Sequence, residues 1–237
     1  MPWVGSRYAT EGFEGLRVLI VCDSHYGMKR YERPTVTQEI VLALGQRKRH
    51  PDAVKALARH PHFAKIATSM HNATRAGDVG RAQLKAFWDH VSYYNFVQEF
   101  MPKSRRRPSD EAWNAGVAAF PTVVEALNPE VIIAFGHEMS THLKRVGVTI
   151  PTAHVRHPSA GYSYAKWNPL VQTALSEARD RRAVSPGPMA DIDPLGSYGT
   201  WYQSSRDALP AHGLRLPPEK KAAAIAAWEA SFPTLEP

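Results

Sequence analysis

Three short segments of this chain carry most of its chemical capacity. Cys22-Asp23-Ser24-His25-Tyr26-Gly27 sets a carboxylate and a hydroxyl beside an imidazole and a phenol. Tyr93-Tyr94-Asn95-Phe96-Val97 places one amide among aromatic and β-branched residues. His157-Pro158-Ser159 puts an imidazole and a hydroxyl on a turn stiffened by proline. A carboxylate accepts a proton or orients a water, an imidazole donates to a developing anion, and an amide presents both a donor and an acceptor to a heterocycle. Combined in one pocket, these groups suit hydrolysis in which a planar heterocyclic leaving group departs with negative charge.

Such groups must be delivered by rigid elements. Arg17 to Cys22 is a short, β-branched apolar run and reads as a buried strand whose exit is the Asp23 loop. Val91 to Val97 reads as a second strand, with Asn95 near its C-terminal end. Val131 to Gly136 is the clearest buried strand, and Thr152 to Val155 the fourth, leading into the loop from Arg156 to Tyr164. Helices are expected between Pro34 and His71, from Arg81 to His90, from Ala112 to Leu127 behind a Ser109–Glu111 cap, from His137 to Arg145, and from Pro169 to Arg182. Strands alternating with helices predict an α/β fold, a three-layer α/β/α sandwich around a mostly parallel four-stranded sheet. Folds of this kind bind ligands beyond the carboxyl ends of their strands, the edge to which all three segments belong.

The 237 residues divide into a catalytic domain over 1–184 and an appendage over 185–237, where proline, glycine and serine accumulate before a last helix from Pro218 to Trp228. A formal net charge of +7 favours an anionic partner, nucleic acid foremost. The single Cys22 excludes an internal disulfide and any multi-cysteine zinc or iron–sulfur site, and the scattered histidines form no ligand pattern, so neither metal nor other cofactor is expected. No apolar stretch is long enough to span a membrane and no secretory leader is visible, so a cytoplasmic monomer is expected. The run Gln46-Arg47-Lys48-Arg49-His50 reads as a solvated face.

The order of the three segments, each after a strand, resembles the uracil-DNA glycosylase superfamily over about Arg17 to Arg182. The resemblance implies a monofunctional DNA glycosylase that flips a nucleotide and hydrolyses its N-glycosidic bond, leaving an abasic site. It gives His157 the task of donating to the pyrimidine O2, and Asn95 that of reading the base edge. Asp23 or Ser24 positions the water, Asp23 being favoured because both alignments of the first segment put it in the pocket. His25 and Tyr26 fall where the family shapes its pyrimidine pocket, and both depart from its usual residues. Ser159, Ser163, Arg156 and Lys166 are expected at DNA phosphates, and Tyr162 as a wedge in the vacated stack.

The altered first segment favours a modified pyrimidine over plain uracil; the resemblance, which also reaches bacterial antiviral glycosylases that attack bulky phage cytosines, implies glucosylated hydroxymethylcytosine, and hence antiviral defence, ahead of uracil repair. Two other readings remain open. A serine esterase would use Ser24 as nucleophile and His157 as base, but His154 stands where an orienting aspartate is usual. A basic DNA-binding module would bind modified DNA without releasing a base.

Overall fold

A computed structural model describes residues 1–26, 36–45, 61–101 and 106–184. The expected appendage, its terminal helix and the 46–50 basic run lie outside the described residues.

Five strands form one sheet: β1 (Trp3–Val4), β2 (Val18–Tyr26), β3 (Val91–Met101), β4 (Val131–Phe135) and β5 (Thr152–Val155), in the order β1-β3-β2-β4-β5. The four expected strands are the parallel ones. The expectation of four strands in all is corrected by β1, which pairs antiparallel with β3 through Trp3↔Tyr93 and Val4↔Ser92. Two residues carry no readable alternation. What holds them is tertiary: the Trp3 indole N–H donates to the Trp88 carbonyl and the Ser92 hydroxyl to the Trp3 carbonyl.

Helices cover both faces. On one side lie α1 (Val36–Ile40, continued by a wider turn over Val41–Gly45), α2 (His62–Met70) and α7 (Tyr164–Val184). The other carries α5 (Asp110–Leu127) and α6 (Met139–Val146). The short α3 (Ala76–Val79) and α4 (Arg81–Ala86) lead through a tight turn over Phe87–Asp89 into β3. Side-chain alternation explains the two cores. Val18, Ile20 and Cys22 of β2 and Val131, Ile133 and Phe135 of β4 face α2 and α7; Leu19 and Val21 with Ile132 and Ala134 face α5 and α6. A strand buried on both faces is apolar at nearly every position, hence the near-continuous runs in the sequence.

Ser109 caps α5 by accepting the Ala112 N–H, and Asp110 and Glu111 place negative charge in its first turn. Gly116 lets this helix approach β3, since a Cβ there would strike Phe96. The last helix among the described residues begins at Tyr164, five residues before the expected Pro169, which it accommodates in its second turn. β3 also outlasts its expected end, running to Met101 past a register shift against β2. Ser24 faces Val97 but His25 faces Phe100, so Gln98 and Glu99 are extra residues on β3.

Candidate active site

A cavity of about 620 Å³ opens at the carboxyl ends of the parallel strands. Asp23 and Tyr26 from β2, Gly136 to Glu138 after β4, and His154 to His157 from β5 and its exit line it, with Trp113 of α5 and Lys166 and Trp167 of α7. Arg106, Arg107 and Pro108 complete the rim.

Asp23 is the most exceptional group. Its carboxylate lies so close over Gly136 that a Cβ there would overlap Oδ1, so only glycine is compatible with this placement. Oδ1 is buried without a hydrogen-bond partner among the described residues. Burial, reinforced by the Glu138 carboxylate, raises the Asp23 pKa to about 7. Glu138 is itself held by Arg107 at 3.0 Å.

His157 is the second pole. Its Nδ1 accepts the Ser159 backbone N–H at 3.2 Å and lies 2.7 Å from the Ser159 hydroxyl. A nitrogen accepting a backbone N–H carries no proton, so the neutral ring bears its hydrogen on Nε2. Burial lowers the His157 pKa to about 4 and keeps the ring neutral at physiological pH. The loop is braced by α2: Lys65 donates to the Pro158 carbonyl at 3.0 Å, and Ser69 Oγ lies 2.6 Å from the Tyr162 hydroxyl and donates to Asn168 Oδ1 at 2.7 Å.

The structure thus brings Asp23, Tyr26, Arg156, His157 and Lys166 to one cavity. It does not bring the other expected residues to its wall. Ser24 Oγ is buried, with no partner among the described residues and no bond to His157. Asn95 is 1% exposed and sits in mid-strand rather than near a strand end. Its Oδ1 accepts the Tyr93 hydroxyl at 3.1 Å, so its Nδ2 donates to His25 Nε2 at 2.8 Å. His25 Nε2 also lies 3.0 Å from Thr37 Oγ1. Burial, with the amino terminus adding to it, lowers the His25 pKa to about 3, so this imidazole is a neutral acceptor inside a closed network. Strict alternation would put Asp23 and His25 on one face; the register shift after Ser24 separates them.

Tyr162 does not stand free as a wedge, because its hydroxyl is taken by Ser69 and its ring packs against Phe135 and Tyr164. Ser159 spends its hydroxyl on His157 rather than holding it out to a phosphate. Ser163 is exposed at the start of α7, its carbonyl accepting the Trp167 N–H. Sequence reasoning passed over Glu138 and His154 as site residues. Their signal was topological: both lie at the same strand edge as Asp23.

No protein-family model matches the chain, and no curated protein is significantly similar to it. Among the described residues, no group of three His, Cys, Asp or Glu side chains could hold a metal ion, and no helix is long and apolar enough to cross a membrane.

Proposed function

We propose that the protein is a monofunctional DNA glycosylase that flips a nucleotide and hydrolyses the N-glycosidic bond of a modified pyrimidine, leaving an abasic site. One observation carries this reading: an unpartnered carboxylate and a neutral imidazole with its proton on Nε2 share one cavity rimmed by cations. Asp23 accepts a proton from water as the water oxygen bonds to the anomeric carbon. The bond to the base breaks with its electron pair staying on the base, and His157 Nε2–H stabilises that anion. A carboxyl titrating near 7 is matched to proton acceptance at neutral pH.

Arg106, Arg107, Arg156 and Lys166 supply positive charge for the DNA backbone around the flipped nucleotide. The cavity is larger than a bare pyrimidine ring, which favours a base with a bulky substituent, glucosylated hydroxymethylcytosine of phage DNA before uracil. For Asn95 to read the base, its Nδ2 must exchange His25 for the ligand. An esterase is less well supported, since Ser24 and His157 share no hydrogen bond.

The test is to incubate the protein with uracil-containing DNA and with phage DNA bearing glucosylated hydroxymethylcytosine, and to measure free base and alkali-labile sites. Release from the glucosylated DNA, lost in Asp23→Asn and His157→Ala, is expected. Release from uracil DNA alone would move the substrate to repair. Release from neither would overturn the reading; ester hydrolysis lost in Ser24→Ala would replace it.

A further inference from the structure

Two polar atoms on the cavity residues are buried without a partner among the described residues: Asp23 Oδ1 and His154 Nδ1. They flank the same strand. His154 of β5 pairs in register with Ala134 of β4, while Cys22 pairs with Phe135, which sets Asp23 beside Gly136. Ala134, Gly136, Asp23 and His154 alternate onto one face of the sheet, and the two residues between the polar side chains, Ala134 of β4 and Gly136 just past its end, are the smallest available. Gly136 has no side chain, so the Asp23 carboxylate leans over it towards β5. The carboxylate thus sits over Gly136, and Gly136 and His154 are diagonal neighbours across β4 and β5, roughly 7–8 Å apart, a span that an imidazole closes to the width of one bridging water.

Resting on the glycosylase reading, we infer that His154 is a further catalytic residue, which with Asp23 holds the attacking water across the Gly136 gap. The water oxygen accepts a hydrogen bond from His154 Nδ1–H and donates one O–H to Asp23 Oδ1. Its remaining lone pair is left to attack the anomeric carbon. As the carbon–oxygen bond forms, the donated proton passes to Asp23, the base leaves with the glycosidic electron pair, and His154 keeps its own proton. A single carboxylate fixes only one direction of a water; a second contact on another strand fixes its orientation, where much of the rate advantage of a positioned nucleophile lies.

Other charged groups face this pair: Glu138 and His137 from the turn after β4, Lys144 of α6, Arg156 and His157 after β5, and Arg106 and Arg107 ahead of α5. Glu138 raises the Asp23 pKa, and burial, then Lys144, lowers that of His154, which favours its neutral ring.

The experiment has two arms. In the first, base release from the DNA that wild-type protein processes is followed in His154→Leu and His154→Asn. The leucine variant should lose about a hundredfold in kcat with KM little changed. Asparagine should restore most of it, since its amide N–H reaches the position of Nδ1. In the second arm, the ring nitrogens of His154 are followed by NMR against pH without DNA. They should show an inflection near pH 7 that vanishes in Asp23→Asn. An inflection that persists belongs to another group and overturns the pairing, as does wild-type kcat in His154→Leu. If wild-type protein releases no base, the glycosylase reading fails and the NMR arm still decides whether Asp23 and His154 are coupled.

Discussion

Within three residues, β2 delivers two buried ionisable groups to opposite fates. Asp23 enters the cavity with one oxygen unpartnered and its pKa raised; His25 turns away to meet Asn95 and Thr37, and its pKa is lowered. Both are shifted by burial. They differ in what satisfies them: His25 is a neutral acceptor with donors already in place, whereas Asp23 bears a desolvated oxygen with no partner among the described residues. A closed network rigidifies a fold, while an unsatisfied charged group costs stability and persists where a ligand or reaction uses it. The contrast supports a structural part for His25–Asn95 and, in the proposed reaction, a chemical one for Asp23, although the sequence alone places both sets in the same pocket.

The largest effect is expected from Asp23→Asn. Base release should fall by about a thousandfold. Thermal unfolding should shift the other way: a carboxyl raised from 3.8 to about 7 lowers stability progressively as pH rises between those values, and the penalty stays constant above. The variant should thus gain melting temperature over wild type as pH passes from about 4 to 7. An unchanged or lower Tm at pH 8 would contradict a desolvated carboxylate.

Gly136→Ala comes next, because its methyl must displace the Asp23 carboxylate. Activity should fall nearly as far as in Asp23→Asn, without the gain in Tm. Asn95→Ala sharpens the comparison from the other side. It leaves the Tyr93 hydroxyl and His25 without their partner, which should cost about 1–3 kcal/mol in urea unfolding. If stability is unchanged and base release is abolished, Asn95 reads the base and the division between the two regions collapses.

A pH experiment isolates His25. A histidine whose folded pKa lies near 3 instead of 6.5 loses stabilisation as pH falls between those values. Replacing it with glutamine, which keeps an acceptor, should flatten the acid limb of the Tm profile. The smallest effect is expected at the rim. Arg156→Ala should weaken DNA binding several-fold at low salt and reduce the slope of log affinity against log salt by about one, measured by fluorescence anisotropy.

The sequence made the four parallel strands legible because strands buried on both faces leave near-continuous apolar runs. It hid β1, whose two residues are held by Trp88 and Ser92, and it ended β3 too early because Gln98 and Glu99 interrupt the pattern at the register shift. The positions of Asp23 and His157 at the carboxyl ends of their strands were legible from the apolar runs before them, although β2 continues through Asp23 to Tyr26 rather than giving way to a loop after Cys22. The burial of Asn95 was not legible, since it follows from β3 running six residues past it to Met101 and so placing Asn95 in mid-strand opposite Cys22; that of His25 was not, since the register shift after Ser24 is set by the pairing partner. Tyr162 was misplaced for a similar reason: its partner Ser69 lies on a helix remote in sequence.

The two outer strands bear on how the protein behaves at high concentration. β1 has two residues and β5 four, with Pro151 before β5 and Pro158 soon after it. Strands this short, and bounded by residues that cannot donate to a ladder, are poor templates for the edge of another chain. Edge-to-edge association through the sheet is thereby discouraged, even though the strands between those edges are apolar on both faces.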